Sequence, residues 1–238
     1  CRIAMVGDYA QMGAPEAGGL LRDLAGLPGA TQMTSVRRFH QPWERTASKQ
    51  LRHRDRAVAD VYDEHGRLVG VTTQTGVATI TAAWLHDVLA GSDSIIVVDT
   101  AAEAATVSAR CQQLLAGHGL LGPTVGVGAD QTPICVGDLV QTRLNTNTIA
   151  TSDGGRVLNR DVWRITGSNA DGDLLATHTR TAVTAHIPAG YAHDHVVLAY
   201  ATTIAGAQGR TLDTGHVLVT PRTTAGALYV GMTRGRDT

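Results

Sequence analysis

Ile95-Ile96-Val97-Val98 is an unbroken β-branched run with no polar residue to turn toward water. A strand of that kind is covered on both faces, which is the situation of a central strand in a parallel sheet. Thr100 follows as a candidate helix N-cap, and Ala101 to Leu115 reads as the helix it starts. Upstream, Val77, Ile80, Trp84, Leu85 and Val88 recur at helical spacing within Thr73 to Leu89. Alternation of strand and helix in this way indicates a doubly wound α/β lobe.

Around this core the reading is more local. Arg2 to Val6 reads as a buried strand ending at Gly7-Asp8, and Pro15 through Gly19 as a loop. Gly18 to Leu27 is short and helix-like, Thr31 to Val36 reads as a strand, and a helical stretch runs from Trp43 to about Arg56. Val61 to Val71, broken by Gly66, reads as a hairpin. Composition changes near Gly122. From Pro133 to about Pro188 short apolar runs alternate with turn signals, Asp153-Gly154-Gly155 and Asp171-Gly172, in the pattern of a small antiparallel barrel.

The chemistry concentrates at the far end. The apolar run His195 to Leu198 enters YATTIAGAQGRTLD, Tyr200 to Asp213, and a second apolar run, His216 to Val219, leaves it. Strand, tight polar turn and strand would place polar groups at a strand's C-terminal end, where open α/β sheets bind ligands. Thr202, Thr203, Gln208 and Thr211 supply neutral hydrogen-bonding groups suited to phosphate or a nucleic-acid backbone, and Gly209 permits close approach. Arg234 and Arg236 follow Tyr229-Val230-Gly231-Met232-Thr233. A planar guanidinium there reaches phosphate bidentately. The alternative is a solvated helix end with cations near its negative pole.

Composition sets limits. The chain has 238 residues, 43% hydrophobic and 17% charged, an ordinary globular balance with room for one or two domains. A formal net charge of -1 argues against a protein that coats DNA, but not against an enzyme holding it in a narrow groove. Cys1, Cys111 and Cys135 lack metal-ligand spacing and read as thiols of a reducing cytoplasm. His193-Asp194-His195 has no third ligand cluster and reads as a loop, so no metal site is expected. No apolar run approaches the roughly 18 residues of a membrane span.

YATTIAGAQGRTLD resembles motif V of superfamily 1 helicases, YVGMTRGRD resembles motif VI, and GDYAQM, Gly7 to Met12, resembles motif III. The wording is closest to RecD-like helicases, particularly the helicase part of conjugative relaxases of the TrwC/TraI (MobF) type. The resemblance implies a second RecA-like, P-loop NTPase-type parallel-sheet lobe carrying an inserted small antiparallel β-barrel of Src-homology type. Residues 1–30 would end the first RecA-like lobe, 31–130 with 191–238 would form the second, and 131–190 the barrel. It also implies roles. Gln11 senses the terminal phosphate of ATP, Arg38 contacts phosphate where motif IV falls (Arg37 is the alternative), and Arg234 is the arginine finger. Gln208, Gly209, Gly7 and Asp8 lie beside the nucleotide, with Asp8 a turn or capping residue and not a metal ligand. Thr202, Thr203 and Thr211 face DNA, with Arg143, Asn145, Asn147 and Trp163 of the barrel as further DNA contacts. Polar turns and a core tryptophan explain the barrel residues almost as well, and Trp43 reads equally as core or as a base-stacking platform.

Missing motifs shape the expectation as much. Lys49, the single lysine, has no glycine-rich P-loop around it, and no Asp-Glu pair ends a strand before Gly7. ATP and Mg²⁺ would be held mainly by an N-terminal RecA-like lobe lying outside this sequence. The expected function is thus the C-terminal portion of an ATP-dependent helicase on single-stranded DNA, moving 5'-to-3', cytoplasmic, and inactive as an isolated piece. The alternative is a non-catalytic nucleic-acid-binding or interaction module.

Overall fold

The computed structural model describes residues 4–11 and 19–237. Arg2, Ile3, Met12 and the Pro15 to Gly18 part of the expected loop lie outside them. The chain divides into two compact units, residues 1–99 with 203–238, and residues 100–202.

Among the described residues, the first unit begins without the expected strands. Residues 4–8 run as coil with Met5 and Val6 exposed, and Thr31 to Val36 is also coil, exposed except for a half-buried Val36. A strand needs a neighbour for its backbone groups, and neither stretch has a ladder partner. Between them lies α1 (Leu20–Ala25). Then α2 (Pro42–His53) starts with Pro42 in its first turn, where a missing N–H costs nothing. It stops at Arg54, whose φ of 60° is left-handed. The hairpin expected over Val61 to Val71 is instead α3 (Val58–Glu64) followed by coil. Val58 and Tyr62 are four apart, which aligns them on one helix face against Ala47 and Leu51 of α2. Trp43 packs on that cluster and stacks on His65 at 3.9 Å, so its ring is already in use. The amphipathic helix α4 (Gly76–Leu89) buries Ile80, Trp84 and Leu85, and β1 (Ser94–Val98) is almost wholly buried.

In the second unit, Thr100 caps α5 (Ala101–Gly117) through a complete capping box with Glu103. Thr100→Ala is expected to cost about 1 kcal/mol, the usual worth of such a cap, read as a lowered denaturation midpoint. A two-stranded ribbon follows, β2 (Thr124–Val127) against β3 (Pro133–Cys135). The main antiparallel sheet contains β4 (Leu139–Thr142), β5 (Val162–Ser168), β6 (Leu174–His178) and β7 (Thr184–Ile187). After α6 (Ala189–His195), β8 (Val196–Leu198) completes the order β7-β6-β5-β4-β8. Gly154 and Gly172 sit at the signalled turns with φ of +84° and +83°. His193 and His195 end a helix and are not in a loop. The run Val196 to Leu198 does not enter the parallel sheet. It pairs antiparallel with β4, Val196 opposite Thr142 and Leu198 opposite Val140, because its apolar faces are buried there.

One polar group lies deep in this unit. Asp138 is fully buried and accepts hydrogen bonds from Tyr200 Oη, Gln112 Nε2 and the Cys135 amide, each at 2.6 Å. Burial pushes its carboxyl above the usual range, and the three donors pull it back.

The chain returns to the first unit through β9 (Ala201–Thr203), α7 (Ile204–Ala207), β10 (Leu212–Val217), α8 (Ala225–Met232) and β11 (Gly235–Asp237). The sheet order is β11-β10-β1-β9, with β10 parallel to both β1 and β11. Its core is Ile95, Val97, Ile204, Ala207, Leu212, Ala227 and Val230. Gly235 separates the two arginines for a steric reason. A Cβ there would lie 2.9 Å from the Gly215 amide on the neighbouring strand. The α/β lobe with a parallel sheet and the antiparallel insert are therefore both present.

Candidate functional site

A turn at Gly7 to Gln11 forms the first part of the site. Asp8 Oδ1 accepts from the Ala10 amide at 3.1 Å, an Asx-type turn, and Oδ2 lies 3.4 Å from Gln11 Nε2. Asp8 is thus a turn residue, but it also binds elsewhere. Tyr229 Oη of α8 donates to it at 3.0 Å, and Arg52 of α2 lies 3.2 Å away. The Gln11 side chain is in turn 3.5 Å from that of Gln208. Gly209 follows Gln208 with a φ of +83°, a turn that glycine adopts without strain.

The arginines form the second part. Arg234 is 1% exposed, and its guanidinium donates to the carbonyls of Val230, Ala207 and Arg210 and to the Thr233 hydroxyl. Each of these acceptors is a neutral oxygen. Burial together with the Arg38 charge lowers its pKa to about 10, so it still carries its proton at neutral pH. Arg38 donates to the Thr233 carbonyl, and burial lowers its pKa too. Two cations are thus gathered on the last turn of α8. Arg236 differs: it lies on β11, exposed, 4.0 Å from Asp213.

Asp8, Gln11, Arg38, Tyr229 and Thr233 border a basin of about 530 Å³, which Arg234 and Arg236 do not line. Arg37, Arg38, Lys49, Arg52 and His53 line it beside Gln11, with Asp8 the single carboxylate among the described residues. Asp8 is already engaged by Arg52, so the remaining cations confer an anion-attracting character. The structure brings together Gln11, Asp8 and Arg38 around the basin, with Gln208 attached through Gln11 and Arg234 behind Arg38.

The residues singled out for DNA are placed more variously. Thr203 Oγ1 caps α7 by accepting from the Gly206 amide at 3.1 Å, and Thr211 is exposed. Thr202 is 6% exposed. In the second unit Arg143 is exposed and bonded to Gln141, while Asn145 Oδ1 accepts from the Asn159 amide at 2.8 Å. Trp163 is 1% exposed and meets His178 edge-on at 5.1 Å, a core tryptophan. Among the described residues, no group of three or more His, Cys, Asp or Glu is placed to hold a metal ion. No helix there is long and apolar enough to cross a membrane.

Residues 1–73 match the family model of an AAA domain. The conjugal transfer protein TraA of Agrobacterium fabrum is 26% identical over 244 residues, covering 99% of this chain. TraA of Rhizobium radiobacter is 25% identical over 242 residues, again 99% of this chain. The Bacteroides Pif1 helicase in complex with ADP-AlF3 and ssDNA superposes with a TM-score of 0.53, at 15% identity, over 85% of this chain and 48% of its own. Bacteroides Pif1 bound to ssDNA gives the same TM-score and identity. This chain is thus similar in sequence to conjugal transfer proteins and in fold to Pif1 helicases. Its fold is that of their RecA-like α/β lobe. The chain spans 21% of the length of each TraA relative.

Two contributors to the site were not legible in the sequence. Arg52 lies in the helical stretch from Trp43 to about Arg56, and its contact with Asp8 depends on tertiary folding. Tyr229 belongs to the YVGMTRGRD segment, yet nothing in that spelling points its hydroxyl at Asp8.

Proposed function

We propose that this chain is the end of the first RecA-like lobe followed by the second RecA-like lobe, with its antiparallel insert, of an ATP-dependent helicase acting on single-stranded DNA. The observation that supports this reading most is the buried Arg234 guanidinium, bonded among the described residues to neutral oxygens alone and held close to Arg38, which lines the basin with Gln11. A buried cation without a carboxylate is costly, and an arriving phosphate offsets that cost. The residues present therefore fit a nucleotide's terminal phosphate. Arg38 would bind it, Gln11 would orient against it, and Arg234 would act on charge that develops in transfer. ATP supplies the phosphoryl group, and Mg²⁺ belongs with ligands outside this sequence. Gln208 and Gly209, with Gly7 and Asp8, would border the same nucleotide.

Thr211 and, in the insert, Arg143, Asn145 and Asn147 are the exposed members of the DNA set, and Thr203 is half-buried. Movement 5'-to-3' on DNA in the cytoplasm, within a conjugative relaxase-helicase, completes the proposal.

The 238 residues alone are expected not to hydrolyse ATP at an enzyme's rate, since no P-loop lies within them. The full-length protein is expected to do so when single-stranded DNA is added. DNA-stimulated turnover near ~1–10³ s⁻¹ from the 238-residue chain would refute the assignment of roles. A full-length protein that binds DNA but never hydrolyses ATP would instead favour a non-catalytic nucleic-acid module.

A further inference from the structure

Asp8 is held from three separate stretches of chain at once. Its own turn supplies the Ala10 amide, α2 supplies Arg52, and α8 supplies Tyr229. The Tyr9 ring lies 5.2 Å from the Arg52 guanidinium carbon, a cation–π contact that steadies the arginine. Burial and the neighbouring Asp8 carboxylate push the Tyr229 phenol up to about 12, so it stays a donor at any working pH. Four residues after Tyr229, Thr233 accepts Arg38 on its carbonyl and Arg234 on its hydroxyl. Asp8 thus connects the glutamine of the turn to the helix end that organises both guanidiniums.

We propose that Tyr229 and Arg52 are positioning residues, which hold Asp8 so that Gln11 keeps a fixed place relative to Arg38 and Arg234. The proposal rests on the reading of those three as a nucleotide-facing set. Their geometry matters because misplacing a catalytic group by about 1 Å can cost ~10²-fold in rate. Residues 4–8 join no sheet, so the turn is fixed by side-chain contacts and by its packing on Gly226, where a Cβ would lie 3.6 Å from the Ala10 carbonyl oxygen. The Asp8 contacts replace that missing ladder.

Tyr229 allows a clean test because its two roles separate. The ring packs on the cluster of Ala47, Leu51, Val58 and Tyr62, while the hydroxyl alone reaches Asp8. Tyr229→Phe keeps the packing and removes the donor. The measurements are single-turnover ATP hydrolysis by the full-length protein with single-stranded DNA, nucleotide Kd, and the same for Gln11→Ala and the double variant. We expect Tyr229→Phe to hydrolyse about tenfold more slowly, the scale of one hydrogen bond to a charged group. Nucleotide Kd should change less than about twofold, because the contact serves the reacting geometry more than ground-state binding. If Tyr229 acts through Gln11, the double variant is no slower than Gln11→Ala alone. Losses that simply multiply would overturn the proposal, as they would mark a merely structural role. So would full activity in Tyr229→Phe beside a slow Gln11→Ala. Full activity in Gln11→Ala would remove the nucleotide-facing reading itself, and this proposal with it.

Discussion

Arg234→Ala is expected to slow single-turnover ATP hydrolysis by the full-length protein by roughly 10³–10⁵-fold, the contribution of an arginine finger in phosphoryl-transfer enzymes. Nucleotide affinity should fall far less, because a guanidinium aimed at developing charge acts on the transition state. Arg234→Lys should not rescue the rate. It keeps a charge but loses the fork that reaches Val230, Ala207 and Arg210 together. Arg236→Ala should be mild, since Arg236 is exposed on β11. Removing Arg234 also strips three carbonyls of a donor, so the variant's folding is to be checked by circular dichroism before its rate is read. A folded Arg234→Ala that hydrolyses ATP near normally, or a larger defect in Arg236→Ala, would show that the finger is misassigned.

The largest stability effect is expected in the second unit, at Asp138. Asp138→Ala leaves Tyr200 Oη, Gln112 Nε2 and the Cys135 amide without their shared acceptor. Gln112 Nε2 keeps the Pro133 carbonyl at 2.9 Å, but losing a buried acceptor of three hydrogen bonds should still cost about 3–5 kcal/mol. That corresponds to a fall in Tm on the order of 10–20 °C for a unit of this size. The loss has a pH signature. Burial raises the Asp138 pKa in the folded state, so folding favours the protonated form. The stabilisation is complete below the unfolded value of about 3.9 and is lost as pH rises through the raised folded value. The Tm gap between the native chain and Asp138→Ala should therefore shrink as pH climbs from about 4 toward neutrality. A gap that widens over that range would mean the carboxylate is preferred ionised.

What could be read from sequence followed from signals that are local. The β-branched run Ile95 to Val98 needs cover on both faces whatever its neighbours, and Thr100 carries its capping partner three residues away. Gly154 and Gly172 mark turns that glycine adopts without strain. What failed depended on partners far along the chain. Met5, Val6 and the Thr31 to Val36 stretch are apolar enough for strands, but a strand is a property of a pair. Val58, Val61 and Tyr62 satisfy a helical period as readily as a hairpin, and α2 decides between them. Val196 to Leu198 is a strand as read, but β4 claims it. The site divides the same way. Gln11, Asp8 and Arg38 stand in segments whose spelling the sequence displays, whereas Arg52 and Tyr229 join the same basin only through folding. A tryptophan's letter does not say which way its ring faces, and Trp163 faces inward.

The layering of the cations has a consequence for ionic strength. Arg37 and Lys49 stand at the wet rim of the basin, while Arg234 lies beneath it with 1% exposure. At about 1 M salt the screening length is roughly 3 Å, so rim charges lose their pull on an approaching anion while a buried charge is screened much less. Capture and chemistry therefore answer to different solvents: salt thins the field that gathers the anion, and leaves the guanidinium that would meet its reacting end largely unshielded.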